Sequence, residues 1–422
     1  MEIIRDTLNQ LRRHLFQKEI MLIVGSRQTG KTTLMLQLKK SLDEDGQKTI
    51  YLNLDFEEDF QHLHSQREFL NKLSLEFGED RAYVFVDEVQ RKHNAGLFFK
   101  GIYDRALPYK FILSGSGSLE LKQSIHESLL GRKRVFELQT VTFGEFMKYK
   151  TNYRYAKNLL DFFEIEKAAS KELLEEYLCF GGYPRVVTEP QVSEKVEIIK
   201  EIYSSYIQKD ISMLLKSDNT QRFSTLIALL AVQIGRIINF SNLTNHSSIS
   251  FQTLKKYIWY AENTFVIKKN LPFFSNPKKE ITKSPVVYFN DVGLRNYILG
   301  FFGRIKPIDI SFVFQNFIFC FLHKMQSKHN FRINFWRSKD KAEVDFIVSF
   351  MDKKIPIEVK YSKLKSKKIE RSLRSFIYKY RSSHAFVINL SLEDTMFINQ
   401  TKIDFIPFHK FVFGFKDIIS SL

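Results

Sequence analysis

Between residues 20 and about 118, short apolar runs alternate with longer stretches whose hydrophobic positions recur at helical spacing. The runs occupy residues 20–24, 50–54, 83–86 and 111–113. All are continuous and bounded by turn or polar residues, the pattern of strands buried on both faces in a parallel sheet covered by helices. From 120 to 215, Leu, Glu, Lys and Tyr recur at helical spacing with one break at Gly181-Gly182-Tyr183-Pro184, which predicts a mostly helical connector. Residues 226–238 then predict a helix, Ser241 the cap of a second, and Ser250 the cap of a third running from Phe251 to about Asn263. A strand at 264–267 and a basic wing at Lys268 and Lys269 complete the order of a winged helix-turn-helix. From about 310 the pattern predicts a helix at 312–324 and strands at 331–336, 343–350, 355–361 and 385–390, a second α/β or α+β domain.

Composition narrows the class without changing that outline. With 44% hydrophobic and 26% charged residues, 17 Gly and 9 Pro, the chain is neither disordered nor collagen-like. Two cysteines, Cys179 and Cys320, exclude a disulfide framework and a thiolate zinc site. The longest apolar run, 226–232, is far short of the roughly 20 residues that cross a bilayer. With the polar start Met1-Glu2-Ile3-Ile4-Arg5-Asp6, the expectation is a cytoplasmic protein without a membrane span. Lys plus Arg number 64 against 47 acids, a formal charge of +17 that attracts polyanions such as DNA. Two stretches carry suitable donors: Gln252, Thr253, Lys255 and Lys256 on the third helix, and the lysines at 353, 354, 360, 363, 365, 367 and 368.

The segment Gly25-Ser26-Arg27-Gln28-Thr29-Gly30-Lys31-Thr32 fits G-x-x-x-x-G-K-[ST] and lies between the strand at 20–24 and a helix starting near Thr32 and Thr33. Glycines let the backbone wrap an anion, the N–H groups and helix N-terminus face the β-phosphate, Lys31 reaches β- and γ-oxygens and Thr32 ligates Mg²⁺, so ATP and Mg²⁺ are the expected ligands. The strand at 83–86 ends in Asp87-Glu88, where ligands of open α/β sheets bind. Asp87 is expected to hold Mg²⁺ through water and Glu88 to polarise the attacking water as general base. The third strand ends in Ser114-Gly115-Ser116-Gly117-Ser118, and Ser114 is the candidate for reading the γ-phosphate or the catalytic water. Turn chemistry explains the same residues equally well. Arg132, in Glu127-Ser128-Leu129-Leu130-Gly131-Arg132, is a candidate to stabilise γ-phosphate charge in cis or across a subunit interface, which leaves homo-oligomers open.

These motifs, with Val84-Phe85-Val86-Asp87-Glu88-Val89-Gln90 and Phe143-Gly144-Glu145-Phe146, resemble an AAA+-like P-loop ATPase family of bacteria and archaea whose C-terminal half is domain of unknown function 4143. The resemblance extends through Phe180-Gly181-Gly182-Tyr183-Pro184, Lys209-Asp210-Ile211 and Trp336-Arg337 to Glu343-Val344-Asp345-Phe346 and Ile355-Pro356-Ile357-Glu358-Val359-Lys360, nearly the whole chain. It implies an AAA+ fold, a winged-helix segment and a nuclease-like C-terminal domain.

The C-terminal carboxylates can be read from the residues alone. Alternation puts Glu358 and Lys360 on one face of their strand. A tight turn near Asp352-Lys353 would place Asp345 opposite Lys360 and diagonal to Glu358 on that face, where two carboxylates can share a divalent metal and the lysine can orient a water. This is the arrangement of restriction-endonuclease-like folds. One departure weakens it: Gln315-Asn316 stands where the resembling family usually has Glu-Asn, and neutral Gln315 is a poorer ligand for a hard cation.

The expected organisation is an AAA+-like P-loop domain at 1–150, a helical connector at 151–220, a winged helix-turn-helix at 221–305 and a restriction-endonuclease-like domain at 306–422. The expected activity is Mg²⁺-dependent ATP hydrolysis coupled to DNA. The alternatives are a nucleotide-gated switch for protein partners and an ATP-regulated metal nuclease.

Overall fold

Five parallel strands build the first sheet: β1 (Ile20–Gly25), β2 (Lys48–Asn53), β3 (Ala82–Asp87), β4 (Tyr109–Ser116) and β5 (Lys133–Glu137), in the order β2-β3-β4-β1-β5. The structure, a computed structural model, describes residues 2–116, 128–215, 219–304 and 309–420, so Gly117, Ser118 and Glu127 of the motifs above lie outside it. Strands β1 and β3 are buried at every position. Ile20, Leu22 and Val24 face one apolar core while Met21 and Ile23 face another, which is why these strands read as unbroken apolar runs. Strand β5 is an element that the mostly helical reading of 120–215 did not include. Its residues Lys133 to Glu137 are half-buried or exposed because it forms an edge of the sheet, where charged side chains replace the apolar run.

Three helices, Thr220–Val232, Phe240–Ser247 and Phe251–Asn263, follow the connector. The third is capped by Ser250 as expected, whereas the second is capped by Asn239 rather than Ser241. Next come β6 (Ile267–Pro272) and β7 (Val286–Phe289), then β8 (Arg332–Arg337), β9 (Glu343–Phe350), β10 (Lys353–Val359), β11 (His384–Asn389), β12 (Asp394–Ile398) and β13 (Thr401–Pro407). These eight strands form one mixed sheet in the order β12-β13-β11-β10-β9-β8-β6-β7. The β6-β7 hairpin is therefore not a free wing: β6 pairs in parallel with β8 through Leu271 and Asn334, so one sheet crosses the boundary expected at 305/306. The basic residues of that hairpin are also engaged, Lys268 with Glu137 at 3.3 Å and Lys269 with Glu262 at 2.7 Å. A single apolar core runs from Val141 through the connector and the hairpin to Ile419.

Glu145 ties these parts together. It closes a capping box with Thr142 at the start of the Phe143–Lys150 helix and is fully buried. Its carboxylate also accepts from the Asp6 N–H at 2.6 Å and pairs with Arg5 at 3.2 Å and with Lys324, on the Ile310–His329 helix, at 3.7 Å. Burial opposes its charge, but Lys324, Arg5 and the two backbone N–H groups outweigh it and hold the carboxyl well below its ordinary range. A depressed folded-state pKa contributes stability above the unfolded value near 4.5 that is lost as the pH falls toward the folded value. Glu145→Gln takes away the anion that buried Arg5 and half-buried Lys324 share and is expected to cost about 3 kcal/mol at pH 7 by denaturant unfolding. The deficit should shrink as the pH falls below the ordinary carboxylate range. A loss that stayed constant down to pH 3 would show that the charge is not what stabilises.

Candidate functional site

The loop between β1 and the Lys31–Glu44 helix is shaped by two glycines and one residue of unusual backbone. A Cβ at Gly25 would run into the Leu138 carbonyl just beyond β5. Gly30 (φ 90°) and Gln28 (φ 59°) both adopt the left-handed region, and Gly30 does so at the helix N-cap. Lys31 is buried and donates from Nζ to the carbonyls of Gly25 at 3.2 Å and Ser26 at 2.8 Å, folding back over the loop. Burial lowers its pKa, while Glu88, Asp87 and Asp210 counter that shift. Thr32 and Thr33 form the exposed first turn of the helix.

Asp87 is fully buried at the C-terminal end of β3 and collects donors from two other strands, the helix and the backbone of the next residue. Thr32 Oγ1 donates to its Oδ2 at 2.6 Å, Tyr51 of β2 to Oδ2 at 2.8 Å, the Glu88 N–H to Oδ1 at 3.0 Å, and Ser114 of β4 to Oδ1. Thr32 and Asp87 thus bring two hard oxygen donors together at a helix N-terminus, a set that fits Mg²⁺. Ser114 is fully buried and its hydroxyl donates to Asp87 Oδ1, which places it beside the acid at the end of β3. Tyr51 was missed, since only the neighbouring register of β2 and β3 reveals that it reaches Asp87. Glu88 has a left-handed backbone (φ 55°), and its carboxylate accepts from Gln90 Nε2. A non-glycine residue held there costs of order 1 kcal/mol, a strain that clusters at functional sites.

Arg132 lies elsewhere. It precedes β5, its carbonyl accepts from the Ile20 N–H at 2.9 Å, and its guanidinium pairs with Asp104 at 2.7 Å. That is the N-terminal end of β1, about 16 Å of strand away from Gly25 at ~3.3 Å per residue. The expectation that Arg132 serves its own γ-phosphate site is corrected by that distance.

The connector reaches the loop by side chains that the sequence reading did not include among the site residues. Arg27 Nε pairs with Asp210 Oδ1 at 2.8 Å, Ser26 hydrogen-bonds the Tyr183 hydroxyl, and Gln28 Oε1 accepts from Arg185 Nη1 at 3.3 Å. From the opposite side Arg5 Nη1 donates to the Thr29 carbonyl at 2.9 Å. Asp210 sits in a π-helical turn, Tyr206–Ile211; burial raises its pKa and Arg27 and Lys31 oppose the rise. Local periodicity holds no signal for these contacts, which span up to 183 residues.

In the C-terminal sheet the turn falls at Met351-Asp352, pairing Phe350 with Lys353 and Phe346 with Ile357. Asp345 is therefore opposite Glu358 rather than Lys360, a correction of two residues in register that keeps both acids on one face. Asp345 accepts from Gln315 Nε2 and the Val359 N–H, each at 2.8 Å. Glu358 accepts from Ser372 Oγ at 3.2 Å and lies 3.6 Å from Lys360 Nζ, which also pairs with Glu370 at 3.2 Å. Burial pushes Asp345 up to about 6; burial and the neighbouring Asp345 push Glu358 up to about 7. Among the described residues no group of three or more His, Cys, Asp or Glu gathers to hold a metal ion.

Residues 17–147 match an AAA domain, 171–304 a domain of unknown function (DUF8612) and 311–411 a domain of unknown function (DUF4143). The chain thus has the architecture its motifs resemble, a P-loop ATPase-like AAA domain followed by domain of unknown function 4143. Similar along most of their length are an uncharacterized protein of Methanocaldococcus jannaschii, 26% identical over 86% of this chain and 79% of its own, and one of Mycobacterium tuberculosis, 23% identical over 88% and 76%. Among solved structures, AMPPCP-bound DnaA from Aquifex aeolicus aligns with 61% of this chain and 86% of its own at 16% identity, with a TM-score of 0.28. No helix among the described residues is long and apolar enough to cross a membrane.

The raised carboxyl of Glu358 makes a stability test. Its folded-state pKa near 7 exceeds the ordinary 4.5, so the stability gained from protonation is present below 4.5 and lost as the pH rises through 7. Glu358→Gln is expected to raise stability at pH 8 on the order of 2 kcal/mol and to change little at pH 5. Thermal melts at both values check it, and a variant less stable at pH 8 would mean that the carboxylate is well paired.

Proposed function

We propose that this protein is a cytoplasmic, Mg²⁺-dependent ATPase of AAA+ type that relays its nucleotide state through the helical connector to a DNA-facing C-terminal half. One observation carries the reading. The side chains of Ser26, Arg27 and Gln28 are each held by the connector, while Lys31 and Arg5 hold carbonyls of the loop. A loop so held keeps its donors for an anion and transmits a change in its own charge to Tyr183, Arg185 and Asp210.

Lys31 would leave its carbonyls for the β- and γ-oxygens, Thr32 and Asp87 would hold Mg²⁺, and Glu88, steadied by Gln90, would take the proton of the attacking water. Bound Mg²⁺ would neutralise charge on the phosphates. Asp210 shares the neighbourhood of Lys31 and Arg27 with the incoming phosphates, so like-charge repulsion would shift the turn that carries it. π-Helical turns are frequent at functional sites. Arg132 would act across a subunit interface, on a neighbouring copy's nucleotide. The three helices and hairpin of 220–289 serve as the winged helix in this reading, and β8 to β13 as the restriction-endonuclease-like domain.

The switch for protein partners has one observation in its favour: Lys268 and Lys269 are neutralised by Glu137 and Glu262 and their hairpin is built into a sheet, which removes a wing from DNA. A metal nuclease at Asp345 and Glu358 is disfavoured by the neutral Gln315 between α-helix and carboxylate.

Steady-state ATP hydrolysis with Mg²⁺, by wild type and Glu88→Gln, with and without DNA, tests the proposal. Turnover is expected to fall at least 100-fold in the variant while ATP binding persists, and DNA is expected to stimulate the wild type. Indifference to DNA would shift the reading to protein partners, and undiminished turnover in Glu88→Gln would remove the general base.

A further inference from the structure

A groove of about 1050 Å³ lies beside the free edge of β5, between the Asp6–His14 helix on one wall and the ends of the Ile310–His329 and Phe415–Ser420 helices on the other. Arg13, Arg134, Lys328 and Lys416 are exposed along it, and none has an ion-pair partner among the described residues. Its two acids are already engaged, Asp6 with Lys148 at 3.3 Å and Glu137 with Lys268 at 3.3 Å. The field inside is therefore positive from both walls and the floor.

We propose that this groove binds the phosphodiester backbone of a single-stranded nucleic acid. The cations stand on three different elements facing one channel, which suits a ligand charged along its whole length. A peptide strand added to the β5 edge would run beside exposed Glu137 as well as Lys133 and Arg134, so an acidic peptide fits the placement less well. Phe136, half-buried on the floor with His14 edge-on at 5.4 Å, offers a ring face against which a base can stack. Stacking on Phe136 needs an unpaired base, so a single strand suits the groove better than a duplex.

The groove differs from the surfaces at the Phe251–Asn263 helix and the lysines of 353–368, and binding there does not depend on the ATPase reading. It nevertheless lies close to the nucleotide loop. Arg5 lines the groove and donates to the Thr29 carbonyl at 2.9 Å and to the Gln139 carbonyl at 2.6 Å, so one side chain separates a bound strand from the P-loop.

The test is fluorescence anisotropy of the full chain, without nucleotide, on labelled 20-nucleotide single strands of DNA and RNA and on duplex DNA, across a salt series. Wild type is expected to bind a single strand of either kind more tightly than duplex, with affinity falling as salt rises. Arg134→Glu/Lys328→Glu should weaken binding at least tenfold, and Arg134→Gln/Lys328→Gln should lower the slope of log affinity against log salt by about 1.4, two contacts at ~0.7 each. Lys40→Glu, at an exposed position outside the groove, should bind as wild type. Lys31→Ala, which removes the central group of the nucleotide site, should also bind the strand as wild type, so the two readings fail separately. Absence of single-strand binding by wild type, or unchanged binding in both groove variants, overturns the proposal. Loss in those variants of poly-glutamate binding instead would reassign the groove to an acidic peptide.

Discussion

A loop that is to wrap an anion cannot use its own backbone N–H groups to hold itself in place. Everything around Ser26 to Gly30 follows from that constraint. Carbonyls and side chains do the holding instead: Lys31 and Arg5 donate to the loop's carbonyls, and Tyr183, Asp210 and Arg185 take its side chains. The loop thereby becomes a place where the N-terminal segment, the parallel sheet and the helical connector meet. In the proposed reading a change of charge at that place reaches the connector, because the ion pair of Arg27 with Asp210 is one of the contacts that hold the loop.

The same economy of contacts links the halves of the chain. Arg5 touches the loop with one side of its guanidinium and Glu145 with the other, and Glu145 is shared with Lys324 of the long C-terminal helix. The β6-β7 hairpin, expected as a wing, is instead the rim of the C-terminal sheet and is pinned to β5 through Lys268 and Glu137. The AAA domain is thus bound to the C-terminal half through β5 and through Glu145. Both contacts border the groove where we place a single strand, which puts ligand, sheet edge and nucleotide loop in one continuous set of interactions.

What could be read from the chain depended on whether the signal was local. Strands β1 to β4 were legible as apolar runs because both their faces are buried, and the loop and Asp87-Glu88 were legible because their chemistry needs fixed spacing. Strand β5 was hidden by Lys133, Arg134 and Glu137, residues that an edge tolerates. Asp210 and Tyr183 were present in the motifs that carried the resemblance, but only folding brings them to the loop. The shared face of Asp345 and Glu358 followed from alternation, whereas their register depended on a turn at Met351 with φ of 53°, a conformation its side chain does not announce.

The central claim is that the connector senses the nucleotide through its hold on the loop's side chains. Hydrogen exchange of the full chain with Mg²⁺, with and without a non-hydrolysable ATP analogue, reads this directly. The account predicts that the nucleotide slows exchange at Ser26 to Gly30 and at the same time alters exchange in the Tyr206–Ile211 turn and around Tyr183 to Arg185. Protection confined to the loop, with the connector unchanged, would contradict it.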